Sequence, residues 1–125
     1  RKCRAFCLMV RGFTNPPKVW TPRVPDSGSM DPVSDYGNNN VFIAGMDEVD
    51  QQRLINFLKP GDVAVYRVPA DETKFAETYV NHRIVKIGKD KQGRFFTFRG
   101  DNSPSKDTIR VRDENIKWMS VGVIY

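Results

Sequence analysis

The chain has 125 residues, enough for one domain whose core needs no metal or disulfide staple. Its composition, 39% hydrophobic and 28% charged, excludes a disordered chain, and no run approaches the roughly 20 apolar residues that cross a bilayer. A net charge of +5 favours anionic surfaces without choosing between nucleic acid and phospholipid headgroups.

One histidine excludes a multi-histidine metal site. Cys3 and Cys7, with no second Cys/His cluster, do not make a zinc site, so no metal or other cofactor is expected. The stretch from Arg1 to Phe13 has a basic start and a short apolar centre, with no signal-peptide cleavage pattern after it. A strand is predicted over residues 4–10. Residues 14–40 read as loop, because Pro16, Pro17, Pro22, Pro25 and Pro32 interrupt them and Asn38-Asn39-Asn40 closes them. A short apolar strand is predicted at residues 41–44.

Asp47 then suits a helix N-cap, and the helix should reach about Leu58, with Val49, Arg53/Leu54, Phe57 and Leu58 as its inward stripe. Pro60-Gly61 ends it. Strands are predicted over residues 62–68, 78–87, 94–99, 108–112 and 118–124, with residues 88–93 as a hairpin loop. The expected fold is mainly β, a barrel or coiled sheet with one short helix, in a single domain over 1–125 that carries a long polar insertion at about 33–59.

Three places carry possible chemistry. Ser-Gly-Ser-Met-Asp-Pro (27–32) holds Ser29 on an irregular backbone, where a nucleophile could be presented. His82 lies on a predicted strand whose period of two puts Val80, His82, Ile84 and Lys86 on one face, among apolar neighbours that suit a general base. After Arg99-Gly100 come two carboxylates, Asp101 and Asp107, either of which could orient the histidine. Nucleophile, base and acid thus follow in the order serine, histidine, aspartate.

Taken together, Ser-Gly-Ser-Met-Asp-Pro (27–32), Pro-Gly-Asp-Val-Ala-Val-Tyr-Arg (60–67), His-Arg-Ile-Val (82–85), Arg-Gly-Asp-Asn (99–102) with Asp107, and Val-Gly-Val-Ile (121–124) resemble the ordered boxes of type I signal peptidases. They are most similar to the archaeal and endoplasmic-reticulum branch, where the base is histidine. The resemblance implies a serine endopeptidase with a coiled β-sheet catalytic domain, cleaving preproteins after small residues in Ala-x-Ala-like sites. It implies Ser29 as nucleophile, His82 as base and then acid, Asp107 as the residue that orients His82, and Asp101 as one that shapes and polarises the site. Ser27 falls to the oxyanion hole and, with Met30, to substrate binding. The same resemblance implies a membrane-associated enzyme with an extracytoplasmic or lumenal active site, partnered by preprotein substrate and a membrane surface.

Three features depart from the family pattern. No anchor precedes the serine box, which suggests an excised catalytic domain or a variant form. The segment 33–59 is long and polar, and Pro104 leaves the placement of Asp107 open.

Two rival classes are distinguishable. Self-cleaving repressors share a β architecture and a Ser-x-Met start but use lysine as base. Lys86, four residues along the strand from His82, would lie roughly 13 Å away. A basic nucleic-acid-binding β module would use the Phe95–Phe98 strand as a stacking platform, whereas a packed core would bury Phe96 and Phe98. Nucleic acid is not the expected partner. Phe13, Val19 and Trp20, with Lys18 and Arg23, suit either a lipid interface or the core.

Overall fold

The computed structural model describes residues 12–21, 39–68, 79–102, 105–107 and 109–124. Among them, in chain order, are β1 (Lys18–Trp20), β2 (Asn39–Ala44), helix α1 (Glu48–Phe57), β3 (Val63–Arg67), β4 (Tyr79–Asp90), β5 (Gly93–Arg99), a 3-10 turn (Asp113–Asn115) and β6 (Ile116–Ile124). The strands form one antiparallel sheet in the order β1-β2-β6-β3-β4-β5. The mainly β expectation is met. The strand expected over residues 4–10 lies outside the described residues.

Helix α1 follows its sequence signals at both ends. Asp47 caps it by accepting the Asp50 amide at 2.8 Å, and Leu58 closes it before a turn in which Gly61 takes φ 101°. Its inward face differs from the expected stripe. Val49 is 71% exposed, while Leu54, Ile55, Leu58 and the carboxylate of Asp50 are buried. Asp50 turns inward because it accepts the backbone amides of Thr14 at 2.8 Å and Asn15 at 3.1 Å, which ties the segment before β1 to the helix. Gly45 allows β2 to run straight into α1, since a Cβ there would fall on the Gln51 backbone nitrogen. Gln51 answers that approach by accepting the Gly45 amide at 2.7 Å and donating to the Ile116 carbonyl at 3.1 Å.

Several expected boundaries move. Lys18–Trp20, predicted as loop, is an edge strand on β2, and Pro16 and Pro17 precede its ladder rather than interrupt it. The β4–β5 loop shrinks to Lys91-Gln92, because β4 runs on to Asp90 and Gly93 supplies a φ of 109°. A bulge between Ile84 and Lys86 breaks the predicted face of β4. Val80, His82 and Ile84 keep one side, but Val85 and Lys86 are both exposed, and Ile87 returns to pack on the core. Lys86 is therefore not a facemate of His82.

Among the described residues of the strand expected at 108–112, the pairing is the single bridge between Phe96 and Val111, while the Asp107 amide bonds the Phe98 carbonyl at 2.8 Å. A regular ladder would bring Ile109 opposite Phe98, so the pairing is offset by two residues, which carries Asp107 back to the level of Phe98. The core gathers on this same side, with Ile43, Leu54, Ala64, Tyr66, Phe96 and Phe98 among its buried members. Residues 39–58, part of the expected insertion, supply β2 and α1 to that sheet and core.

Two carboxylates carry measurable stability. Replacing Asp50 with Ala should cost about 2–3 kcal/mol in urea unfolding, since the two backbone amides it holds, of Thr14 and Asn15, lose a charged acceptor. Val49→Ala should change it by about 0.5 kcal/mol or less. Asp113 accepts from Arg94 at 2.9 and 2.6 Å and from Gln52 at 3.1 Å, linking β5 and α1 to the 3-10 turn. Burial alone would raise its pKa, but those hydrogen bonds and the Arg94 charge outweigh it and hold the carboxyl below its ordinary value. Its contribution is therefore complete above the unfolded value of about 3.9 and is lost as pH falls through the lower folded value. Asp113→Asn should flatten that acid limb when unfolding is followed from pH 6 downward.

Candidate active site

The β3–β4 register brings the site together. Ala64 faces His82, and Tyr66 faces Val80, so Tyr66 and His82 are diagonal neighbours on the core side of adjacent strands. Asp107 arrives from beyond β5, its amide held on Phe98. One carboxylate oxygen, Oδ2, meets both neighbours: the Tyr66 hydroxyl donates to it at 2.6 Å, and His82 Nδ1 lies 2.7 Å away. The His82 and Asp107 side chains are 15% and 17% exposed, so the pair is largely desolvated yet not sealed.

These contacts dictate a tautomer. An ionised carboxylate only accepts, so the neutral imidazole donates its proton from Nδ1 and keeps its lone pair on Nε2. A histidine so arranged can take a proton at Nε2 while the carboxylate stabilises the resulting imidazolium. Burial first, then the hydrogen bond and charge of Asp107, push the Tyr66 phenol far above its ordinary range. Tyr66 therefore stays a donor.

Asp101 goes elsewhere. It accepts from Arg83 Nε at 2.8 Å and from Nη2 at 2.6 Å, while Arg83 Nη1 bonds the Gly61 carbonyl at 2.7 Å. Of the two carboxylates that the sequence leaves open, Asp107 is the one hydrogen-bonded to the histidine. Asp101 instead braces the turn after β5 against β4 and the turn before β3. The hydrogen bond to Asp101 raises the Arg83 pKa, burial opposes it, and the charges of Asp101 and Asp62 add to the rise.

Ser27, Ser29 and Met30 lie outside the described residues, as do Cys3, Cys7 and Arg23. Tyr66 is the functional candidate that sequence reasoning missed. Alternation within Val63–Arg67 places it on the same side as Ala64, but nothing local names Asp107 as its partner. Other candidate surfaces are plain. Phe96 and Phe98 are fully buried, and Phe95 is buried with the Arg110 guanidinium 4.3 Å from its ring centre, so the aromatic platform of a nucleic-acid module is missing from β5. Phe13 packs on the core, while half-exposed Trp20 rests against Phe42 and Trp118 at 5.6 and 5.4 Å. An open cleft of about 720 Å³ beside the start of α1 and the 3-10 turn contains none of the candidate site residues.

Comparison with known proteins bears on this geometry. The chain is 31% identical over 96 residues to Signal peptidase I W of Bacillus subtilis (strain 168). That similarity supports a relationship to the type I signal peptidases. The match takes in 77% of the chain but 44% of that protein, so the chain spans less than half of its relative's length. No family model matches the chain, and no solved structure gives a significant match.

The tautomer is directly measurable. Nitrogen-15 NMR of the neutral His82 ring should show the proton on Nδ1, and Asp107→Ala should abolish that preference. A parent spectrum dominated by the Nε2–H form would contradict the assignment.

Proposed function

We propose that this chain is the catalytic part of a serine endopeptidase of the signal-peptidase type, using Ser29, His82 and Asp107. The observation that carries the proposal is the 2.7 Å contact between His82 Nδ1 and Asp107 Oδ2, which gives the chain's one histidine the orientation a general base requires. The relationship to Signal peptidase I W supports the protease class.

In the proposed reaction Ser29 Oγ attacks the scissile carbonyl carbon and its proton passes to His82 Nε2. Asp107 stabilises the imidazolium. The Ser27 hydroxyl and the Ser29 amide donate to the oxyanion, and Met30 lines the substrate site. The tetrahedral intermediate collapses, the C–N bond breaks, and His82 returns the proton to the leaving amine. Water then attacks the acyl-enzyme with His82 again as base, releasing the new carboxyl terminus and restoring Ser29. Asp101 shapes the turn rather than moving a proton. In this reading substrates are preproteins with small residues before the cut, and the use of His82 as base supports assignment to the Ser-His branch.

The enzyme works at a membrane surface with its site on the extracytoplasmic side. Its net charge of +5 suits anionic headgroups. Among the described residues no helix is long and apolar enough to cross a membrane.

Cleavage of a preprotein with an Ala-x-Ala site tests this. Ser29→Ala and His82→Ala should each lower kcat by about 10,000-fold or more, Asp107→Ala by about 1,000-fold, and Ser27→Ala by about 100-fold. Parent-like cutting by both the Ser29 and His82 variants would overturn the proposal.

A further inference from the structure

An aspartate carboxylate does not choose its own orientation. Its terminal torsion is broad and roughly twofold, so either oxygen of Asp107 could meet the imidazole over a range of angles. Yet both donors converge on Oδ2, from the Tyr66 hydroxyl at 2.6 Å and His82 Nδ1 at 2.7 Å. The two differ in rigidity. Tyr66 is 1% exposed, lies in the middle of the sheet, and packs its ring on Phe98 with centroids 4.5 Å apart. Phe98 also holds the Asp107 amide through its carbonyl, so one residue supports both partners. The phenol's ring is held by the sheet through contacts that do not involve Asp107.

From this we propose that Tyr66 is a positioning residue of the site, whose hydroxyl selects the oxygen and rotamer that Asp107 presents to His82. The proposal rests on the serine–histidine–aspartate chemistry above. A neutral phenol suits this task better than a cation. It orients the carboxylate through a short charge-assisted hydrogen bond without neutralising the charge that must stabilise the imidazolium. Core packing does not explain the hydroxyl, because phenylalanine would fill the same space against Phe98 with no polar atom to satisfy. Lost orientation is costly, since a misplacement of about 1 Å can reduce rate by about 100-fold.

The test is Tyr66→Phe in the full chain, which keeps the ring and deletes the hydroxyl. Cleavage of an Ala-x-Ala peptide should show kcat lowered about tenfold to 100-fold with KM within about twofold. The same substitution in an Asp107→Ala background should lower kcat no further, because its effect passes through the carboxylate. In proton NMR, the protected His82 Nδ1–H signal of the parent should exchange faster in Tyr66→Phe. An unchanged kcat, an equal loss in both backgrounds, or an unchanged Nδ1–H signal would each overturn the proposal. Ser29→Ala separates the two levels: it tests the reaction and leaves the Nδ1–H signal in place. Should Ser29→Ala cleave like the parent, the proposed function fails, and the Nδ1–H comparison still decides the role of Tyr66.

Discussion

Asp107 Oδ2 is a largely desolvated anion that accepts from two side chains on two strands, and the surrounding structure is arranged so that it can. Such a group is tolerated inside a protein only when its hydrogen bonds are supplied with good geometry. Supplying them requires β3 and β4 in the register that sets Ala64 opposite His82, and Phe98 close enough to back Tyr66. It also requires the chain after β5 to leave a regular ladder, because the offset pairing at Phe98 brings Asp107 level with Tyr66 and His82. The chain around Asp107 is thus the part of the fold that brings the carboxylate to His82.

Carboxylates serve as joints throughout this basic chain. Asp50 fastens the segment before β1 to α1, and Asp113 ties α1 and β5 to the 3-10 turn. Asp90 collects Arg110 and Arg112 at the end of the β4–β5 hairpin, where their guanidinium groups also lie over Phe95. Hydrogen bonding from Arg112 leads in holding the Asp90 carboxyl well below its ordinary range, with Arg110, the Gln92 amide and the Arg112 charge adding to it against burial. Arg83 and Asp101 form a fourth joint beside the histidine. Each joins segments far apart in sequence, a role for which a short, doubly accepting side chain is suited. Among these carboxylates, Asp107 is the one joined to an imidazole.

Signals carried by neighbouring residues were legible. Asp47 and Pro60-Gly61 bounded α1 closely, and short apolar runs between turn residues marked β3, β5 and β6, because caps, turns and strand-forming runs are local effects. Failures occurred where a distant partner overruled the local pattern. Val49 looked inward by spacing, yet Asp50 takes that place because Thr14 and Asn15 need its oxygens. Lys18–Trp20 looked like loop because prolines precede it, yet β2 offers an open edge. The bulge at Val85 has no glycine or proline to announce it, and it moves Lys86 off the histidine's side.

For the candidate site, the sequence by itself determined the inventory: one histidine on a strand, a serine box, and two aspartates after a glycine turn. It also carried the resemblance that the relationship to Signal peptidase I W supports. Tertiary structure decided the pairing, assigning Asp107 to His82 and Asp101 to Arg83, and bringing in Tyr66 from a neighbouring strand. The physical reason is that hydrogen bonds between strands depend on register and on the offset pairing of Asp107 with Phe98. A one-residue change in either would turn these side chains to the other face, and no local signal encodes it.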